Sequence, residues 1–310
     1  MKPVVSRNWA LSSPYERFFE FIAPDADRFN VLLEHIQKLG LNAAVIPIEG
    51  NRHFFIFPRG KNIKPSAGGS FPFRRGSPVI LTAHYDRVPG SPGANDNSAA
   101  VFQLMGAALQ LDKQGADFWM VIFTDKEELQ SGEGIQNQGS FSLAKKLKGM
   151  GLNNARIFNF DACGTGDTLV FSNTVDYLIT KNKRPGFQRA SRIIRDLREK
   201  AFDTARRLHI SKVISVPTPF SDDAGFLQGG MPVQTITMLP SAEAKSLSMV
   251  IRSRPDFIDL LFSGSTNKSA VRRLIPETWR CLNGPSDSYL RLTPEHYDCV
   301  VRFAAELCRG

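Results

Sequence analysis

Residues 78–100 read PVILTAHYDRVPGSPGANDNSAA, and this stretch decides the fold. Val79–Ala83 is a short apolar run of the kind buried on both faces in a parallel sheet. His84, Tyr85 and Asp86 follow it, and the small-residue turn Gly93-Ala94-Asn95 delivers Asp96 to the start of an apolar, helix-length run, Ser98–Leu111. A strand ending in histidine and acid, then a tight turn and a helix, is a unit of an open α/β sheet, which places its ligands beyond the strand ends.

The same rhythm continues outward. Phe118–Thr124, Arg156–Phe160, Thr168–Phe171 and Val233–Met238 are predicted strands, and Ser140–Leu147 and Ile193–Leu208 are predicted helices. This alternation predicts a mainly parallel sheet with helices on both sides. Residues 1–40 form an N-terminal helical part, with Tyr15, Phe18, Phe19 and Ile22 on one stripe and Phe29, Leu32, Leu33, Ile36 and Leu39 on another. Ala43–Ile48 and His53–Phe57 are β-rich, and Arg59–Ser77 reads as a surface loop. Residues 241–275 are expected to be an insertion near the active-site end, polar loops around an apolar island, Phe257–Phe262. All 310 residues are taken as one domain.

Composition sets the outer bounds. With 42% hydrophobic and 22% charged residues, the chain is neither disordered nor collagen-like. Its charge of +9 favours acidic surfaces at long range. The longest uncharged stretch, Ala224–Ala242, is broken by glycines and prolines, so no membrane span is expected. Four cysteines (Cys163, Cys281, Cys299 and Cys308) without an export signal read as reduced thiols, and none forms a Cys-x-x-Cys pair. The expectation is a cytoplasmic protein. Residues 181–212 carry 11 Lys or Arg against 3 Asp or Glu. With only Phe187 and Phe202 as aromatics, they read as the solvated face of a helix in preference to a nucleic-acid surface.

Four acid or histidine sites fall just after successive strands. Residues two apart on an extended chain point the same way, so Asp86 lies beside His84. There it accepts the second imidazole N–H and aims the other ring nitrogen at a metal. Asp96 has two oxygens with which to bridge cations. In the pair Glu127-Glu128, adjacent carboxylates diverge, so one is free to ligate metal while the other holds a water. Asp161 follows Arg156–Phe160.

These motifs, with Ser221-Asp222, resemble those of the co-catalytic zinc exopeptidases, a family that includes the bacterial leucyl aminopeptidases and has glutaminyl cyclases as single-metal relatives. The resemblance runs from Pro78 to Asp287. It implies a three-layer α/β/α fold around a mixed, mainly parallel sheet. It also implies His84 and Asp161 on one zinc, Asp96 as the bridge, Glu128 on a second zinc and Glu127 as general base.

The chain departs from that pattern twice. Where the family has a histidine ligand in a stretch similar to His-Thr-Pro-Glu-Asp, this sequence reads Asn283-Gly284-Pro285-Ser286-Asp287. Where the family often has Ser-Asp-His, it reads Ser221-Asp222-Asp223. An amide oxygen is a weaker, harder donor to zinc than imidazole. One firm zinc site is therefore expected, beside a second that is weak, empty or filled by another divalent ion such as manganese. Three readings stay open: an aminopeptidase acting on a peptide or aminoacyl substrate, a glutaminyl cyclase with one zinc, and an inactive peptide-binding relative.

Overall fold

The computed structural model describes residues 8–61, 77–127, 129, 132–181, 185–254, 256–257 and 273–309. The expected surface loop at 59–77 falls largely outside them, as does the island Phe257–Phe262 apart from its first residue. The chain opens with the short helix α1 (Phe18–Phe21) and α2 (Arg28–Lys38), then β1 (Ala43–Ile48), β2 (Asn51–Ile56) and β3 (Val79–His84). Next come α3 (Ala99–Lys113), β4 (Trp119–Thr124), α4 (Gly139–Gly149), β5 (Arg156–Phe160) and β6 (Thr168–Ser172). Helices α5 (Thr174–Lys181) and α6 (Pro185–Arg207), strand β7 (Val213–Val216), α7 (Asp222–Gln228), β8 (Val233–Leu239) and α8 (Ser241–Ser253) follow. The short α9 (Glu277–Arg280) and the terminal α10 (Tyr297–Leu307) complete the described elements.

The eight strands form one sheet in the order β1-β2-β4-β3-β5-β8-β6-β7. The central run β4-β3-β5-β8 is parallel throughout, as is β6 with β7, whereas β1–β2, β2–β4 and β6–β8 are antiparallel. The sheet is therefore mixed, with a parallel centre. Period-two alternation distributes side chains to its two sides. Val79, Leu81 and Ala83 join Phe158 and Phe160 in the core under α2, α3, α6 and α10. Ile80, Met120, Ile122 and Ile157 join the core under α4 and α7. Helices thus cover both faces, which gives the three layers the sequence implied.

Two expectations are corrected. The aromatic stripe from Tyr15 to Ile22 forms only the single turn of α1, and its rings pack against distant elements instead of lining one long helix. Trp9 lies 4.9 Å from Phe18 and 5.3 Å from Tyr297, and Phe18 lies 5.3 Å from Phe102 of α3. Residues 241–253 are a helix and not polar loop. Ala244 and Leu247, three apart, bury against Val170 of β6 and Leu239 of β8, so this segment covers the sheet. Asp176, Asp203 and Glu306 pair with Arg195 and Arg198, Arg206, and Arg207 of the basic helix α6. Among the described residues, no helix is long and apolar enough to cross a membrane.

Candidate metal centre and active site

Strand register brings the first two site residues together. In the β3–β5 pairing Leu81 faces Phe158 and Thr82 faces Asn159. Continued two residues further, the same offset sets His84 against Asp161, and His84 Nε2 lies 3.7 Å from Asp161 Oδ1. Asp96 arrives from the turn between β3 and α3 and brings Oδ1 to 3.0 Å from the same nitrogen. One donor atom from each of His84, Asp96 and Asp161 lies within 4.8 Å of the others. Behind the ring, Asp86 Oδ1 is 3.3 Å from His84 Nδ1.

The turn that carries Asp96 is fastened by its neighbours. Asn97 Nδ2 donates to the Phe160 carbonyl at 2.8 Å, and the Ala162 N–H donates to Asn97 Oδ1 at 3.3 Å. The Gly164 N–H donates to Asn95 Oδ1 at 2.7 Å. Both asparagines therefore tie the Asp96 turn to the end of β5, where Asp161 stands. On the other flank, the buried Arg28 guanidinium donates to Ser98 Oγ at 2.6 Å. The Asp287 carboxylate accepts the N–H groups of Asn95 and Asp96 at 2.8 and 3.1 Å. Beneath Asp161 runs a chain of buried polar groups. Thr82 Oγ1 donates to Asn159 Oδ1 at 3.0 Å, Asn159 Nδ2 donates to Ser221 Oγ at 3.2 Å, and the Ser221 hydroxyl bonds Asp161.

Electrostatics say what these groups lack. Burial pushes the His84 imidazole down, but the carboxylates of Asp161, Asp86 and Asp96 outweigh it and hold its pKa well above the usual range. Burial and Asp161 raise Asp96, whereas the nearby His84 imidazole and the Ser221 hydroxyl draw Asp161 below its ordinary value despite burial. Three carboxylates share one histidine, so the cluster is short of positive charge. Both ring nitrogens of His84, and Asp161 Oδ1, are buried with no hydrogen bond of acceptable geometry. An imidazole nitrogen with carboxylate oxygens is a donor set that zinc accepts. The residues fit a divalent cation.

Glu127 occupies a different wall. It follows Lys126, which has a left-handed φ of 58°. Its N–H is held by both oxygens of Asp86, at 3.1 and 3.0 Å, and its carbonyl accepts from Gln138 Nε2 at 3.0 Å. Asp86 thus touches both the His84 ring and the Glu127 main chain. Glu127 lines a cavity of about 370 Å³ together with Asp96, Asp161, Thr235, Thr237, Phe220, Trp279, Leu282 and Asn283. Burial, with Asp161, Asp96 and Asp222, pushes the Glu127 carboxyl well above its ordinary pKa, against the pull of His84. Asn283, at a φ of 60°, is exposed on the cavity wall. Glu128 lies outside the described residues.

A second, larger cavity of about 560 Å³ has Asn95, Leu282 and Asp287 in its wall, but none of His84, Asp96, Glu127 or Asp161. Asp96, Glu127 and Asp161 face the smaller one. Asp223 does not line it; its carboxylate accepts the Ser221 N–H at 2.9 Å and so shapes the turn beneath Asp161. Burial raises the pKa of Asp222 and of Asp223 to about 6, and that of Asp287 to about 7. Sequence reasoning gave no role to Asn95, Asn97, Asn159 or Asp287. For the first two a signal existed: amide side chains flanking an acid in a small-residue turn, where they bond neighbouring main chain.

The model of peptidase family M28 matches residues 69–257, more than half of the chain. No curated protein matches the sequence. Among solved structures, BSAP, a zinc aminopeptidase from Bacillus subtilis, superposes with a TM-score of 0.51 at 19% identity over 83% of this chain. This chain spans about half (48%) of that protein's length. A leucine aminopeptidase precursor from Bacteroides thetaiotaomicron gives a TM-score of 0.60 at 14% identity, covering 95% of this chain and 94% of that one. A glutaminyl cyclase of the same organism, bound to N-acetylhistamine, gives the same values. Identities this low show a shared fold.

Proposed function

The chain belongs to peptidase family M28, and from that premise we propose that it is a zinc-dependent aminopeptidase. The observation that carries this reading is the convergence of His84, Asp96 and Asp161 within 4.8 Å, beside a cavity that Glu127 also lines. His84, Asp96 and Asp161 would hold the firm zinc. Asp96, Asn283 and Glu128 would supply a weaker second site, open to a harder ion such as manganese. The chemistry zinc supplies in such a site is Lewis acidity, which polarises a carbonyl and acidifies a water.

The remaining work falls to the chain's own residues. Glu127 takes the proton of the water that attacks the carbonyl carbon of the first peptide bond. As the C–N bond breaks, Glu127 returns that proton to the departing amine. Asp86 fixes the His84 tautomer and, through the Glu127 N–H, the position of the base. Phe220, Trp279 and Leu282 give the cavity an apolar side for the N-terminal residue.

Trp279 on the cavity wall also favours a second reading, cyclisation of an N-terminal glutamine, in which the α-amine attacks the side-chain amide carbon and ammonia leaves. Metal content per chain, paired with turnover on aminoacyl and glutaminyl substrates, separates the two. Chelator-sensitive release of N-terminal residues is expected. Ammonia release from glutaminyl peptides alone would select the cyclase, and bound zinc with no turnover would leave a peptide-binding relative.

A further inference from the structure

We propose that Asp287 is a positioning residue of the metal centre, acting on the ligand Asp96 through the main chain. The inference rests on the metal-centre reading above. Asp287 is 2% exposed. Its Oδ1 accepts the Asn95 N–H at 2.8 Å and its Oδ2 accepts the Asp96 N–H at 3.1 Å. Its own carbonyl accepts the Ala94 N–H at 3.3 Å, and Ser91 Oγ donates to the Gly284 carbonyl at 3.2 Å. Four hydrogen bonds therefore join the 284–287 turn to the 91–96 loop, elements some 190 residues apart in sequence.

Two features make this more than ordinary loop packing. First, the Asn95 and Asp96 N–H groups are consecutive donors, and each would be left unsatisfied without an acceptor. A single carboxylate has two oxygens to serve both, which an alanine lacks and an amide matches only by half. Second, the Asp96 N–H is bonded directly to the α-carbon that carries the ligand carboxylate. Any shift of that amide moves the Asp96 carboxylate, which must reach the same point as His84 Nε2, 3.0 Å away. Metal sites tolerate displacements of only about half an ångström before affinity falls. The Asn97 and Asn95 side chains fix the turn against the end of β5, and Asp287 fixes it from the opposite, C-terminal side of the chain.

The turn that ends at Asp287 begins at Asn283, where the sequence lacks the histidine of related proteins. This turn contributes to the centre through the Asp287 carboxylate and the Asp287 and Gly284 carbonyls, none of which depends on the side chain at position 283. The loss of one ligand at its head therefore leaves its hold on Asp96 intact.

The test is the zinc dissociation constant of the full chain, measured by competition with a chromophoric chelator, for wild type, Asp287→Asn, Asp287→Ala and Val300→Ala. Val300 is fully buried in α10 and serves as a control for lost stability. Asp287→Asn is expected to weaken zinc binding about tenfold and Asp287→Ala up to about a hundredfold. Val300→Ala should lower denaturant stability while binding zinc as wild type does. Turnover should fall in kcat with KM nearly constant. If Asp287→Ala does not fold, Asp287→Asn, which keeps shape and one acceptor, decides. Wild-type zinc affinity in both folded Asp287 variants overturns the proposal. So does an equal loss of affinity in Val300→Ala. A wild-type chain that binds no zinc overturns the metal-centre reading itself, which is a different result from a zinc-binding chain indifferent to Asp287.

Discussion

The two walls of the cavity are built by different physics. On one, Asp161 takes its place from the β3–β5 register, with the buried His84 behind it, and Asp96 is fastened beside them by Asn95, Asn97 and Asp287. That wall is rigid because its geometry is the geometry of the sheet. On the other, Glu127 follows a left-handed Lys126, and Asn283, itself left-handed, lies exposed. That wall depends on loops and a few main-chain bonds. A rigid half suits cation binding and an adaptable half suits contact with a moving substrate, so the two jobs separate along the line where the sheet ends.

The largest effect that would test this division is at Glu127. Glu127→Gln keeps size and the main-chain contacts to Asp86 and Gln138 but removes the proposed base. Turnover should fall by roughly a thousandfold, while zinc content stays at the wild-type level. Zinc lost together with activity would mean that the loop wall also holds the metal, and the division would fail.

Legibility in the sequence follows the same line. The central strands were readable because residues buried on both faces leave continuous apolar runs, as in Val79–Ala83 and Phe118–Thr124. Their order was not readable, since nothing local in Val233–Leu239 says that it lies between β5 and β6. His84, Asp96 and Asp161 could be found because each follows a strand or a small-residue turn. Helix α8 is masked in the sequence because Ser, Glu and Lys surround Ala244 and Leu247, although their spacing is helical. Asp287, Asn159 and Ser221 act by hydrogen bonds between residues 62 to 192 apart in sequence, and no window on one chain shows such pairing.

A middle-sized effect is expected from strengthening the loop wall. Asn283→His offers an imidazole in place of an amide at the cavity's edge, and imidazole is the better zinc donor. Zinc stoichiometry should rise from one towards two per chain, with the second ion bound about tenfold more tightly than in wild type. Metal titration followed by elemental analysis reads both numbers. Two equally tight zinc ions already present in wild type would show that the two walls do not differ in the way described.

The smallest effect probes the rigid wall from below. Thr82, Asn159 and Ser221 form a buried chain of hydrogen bonds that ends on Asp161, and all three are at most 3% exposed. Ser221→Ala removes the acceptor for Asn159 Nδ2 and leaves that donor buried and unpaired, at a cost of about 1–2 kcal/mol in stability. It also removes a hydrogen bond that holds Asp161 charged, so the carboxyl should become easier to protonate and bind zinc less tightly, by about threefold. The effect is small because His84 and Asp96 stay in place through strand register and the asparagine ties, neither of which passes through Ser221. Chemical denaturation together with the chelator competition gives both values. If zinc affinity fell a hundredfold instead, Asp161 would owe its position to this chain of side chains and not to the sheet, and the rigid wall would be no more than another loop-dependent one.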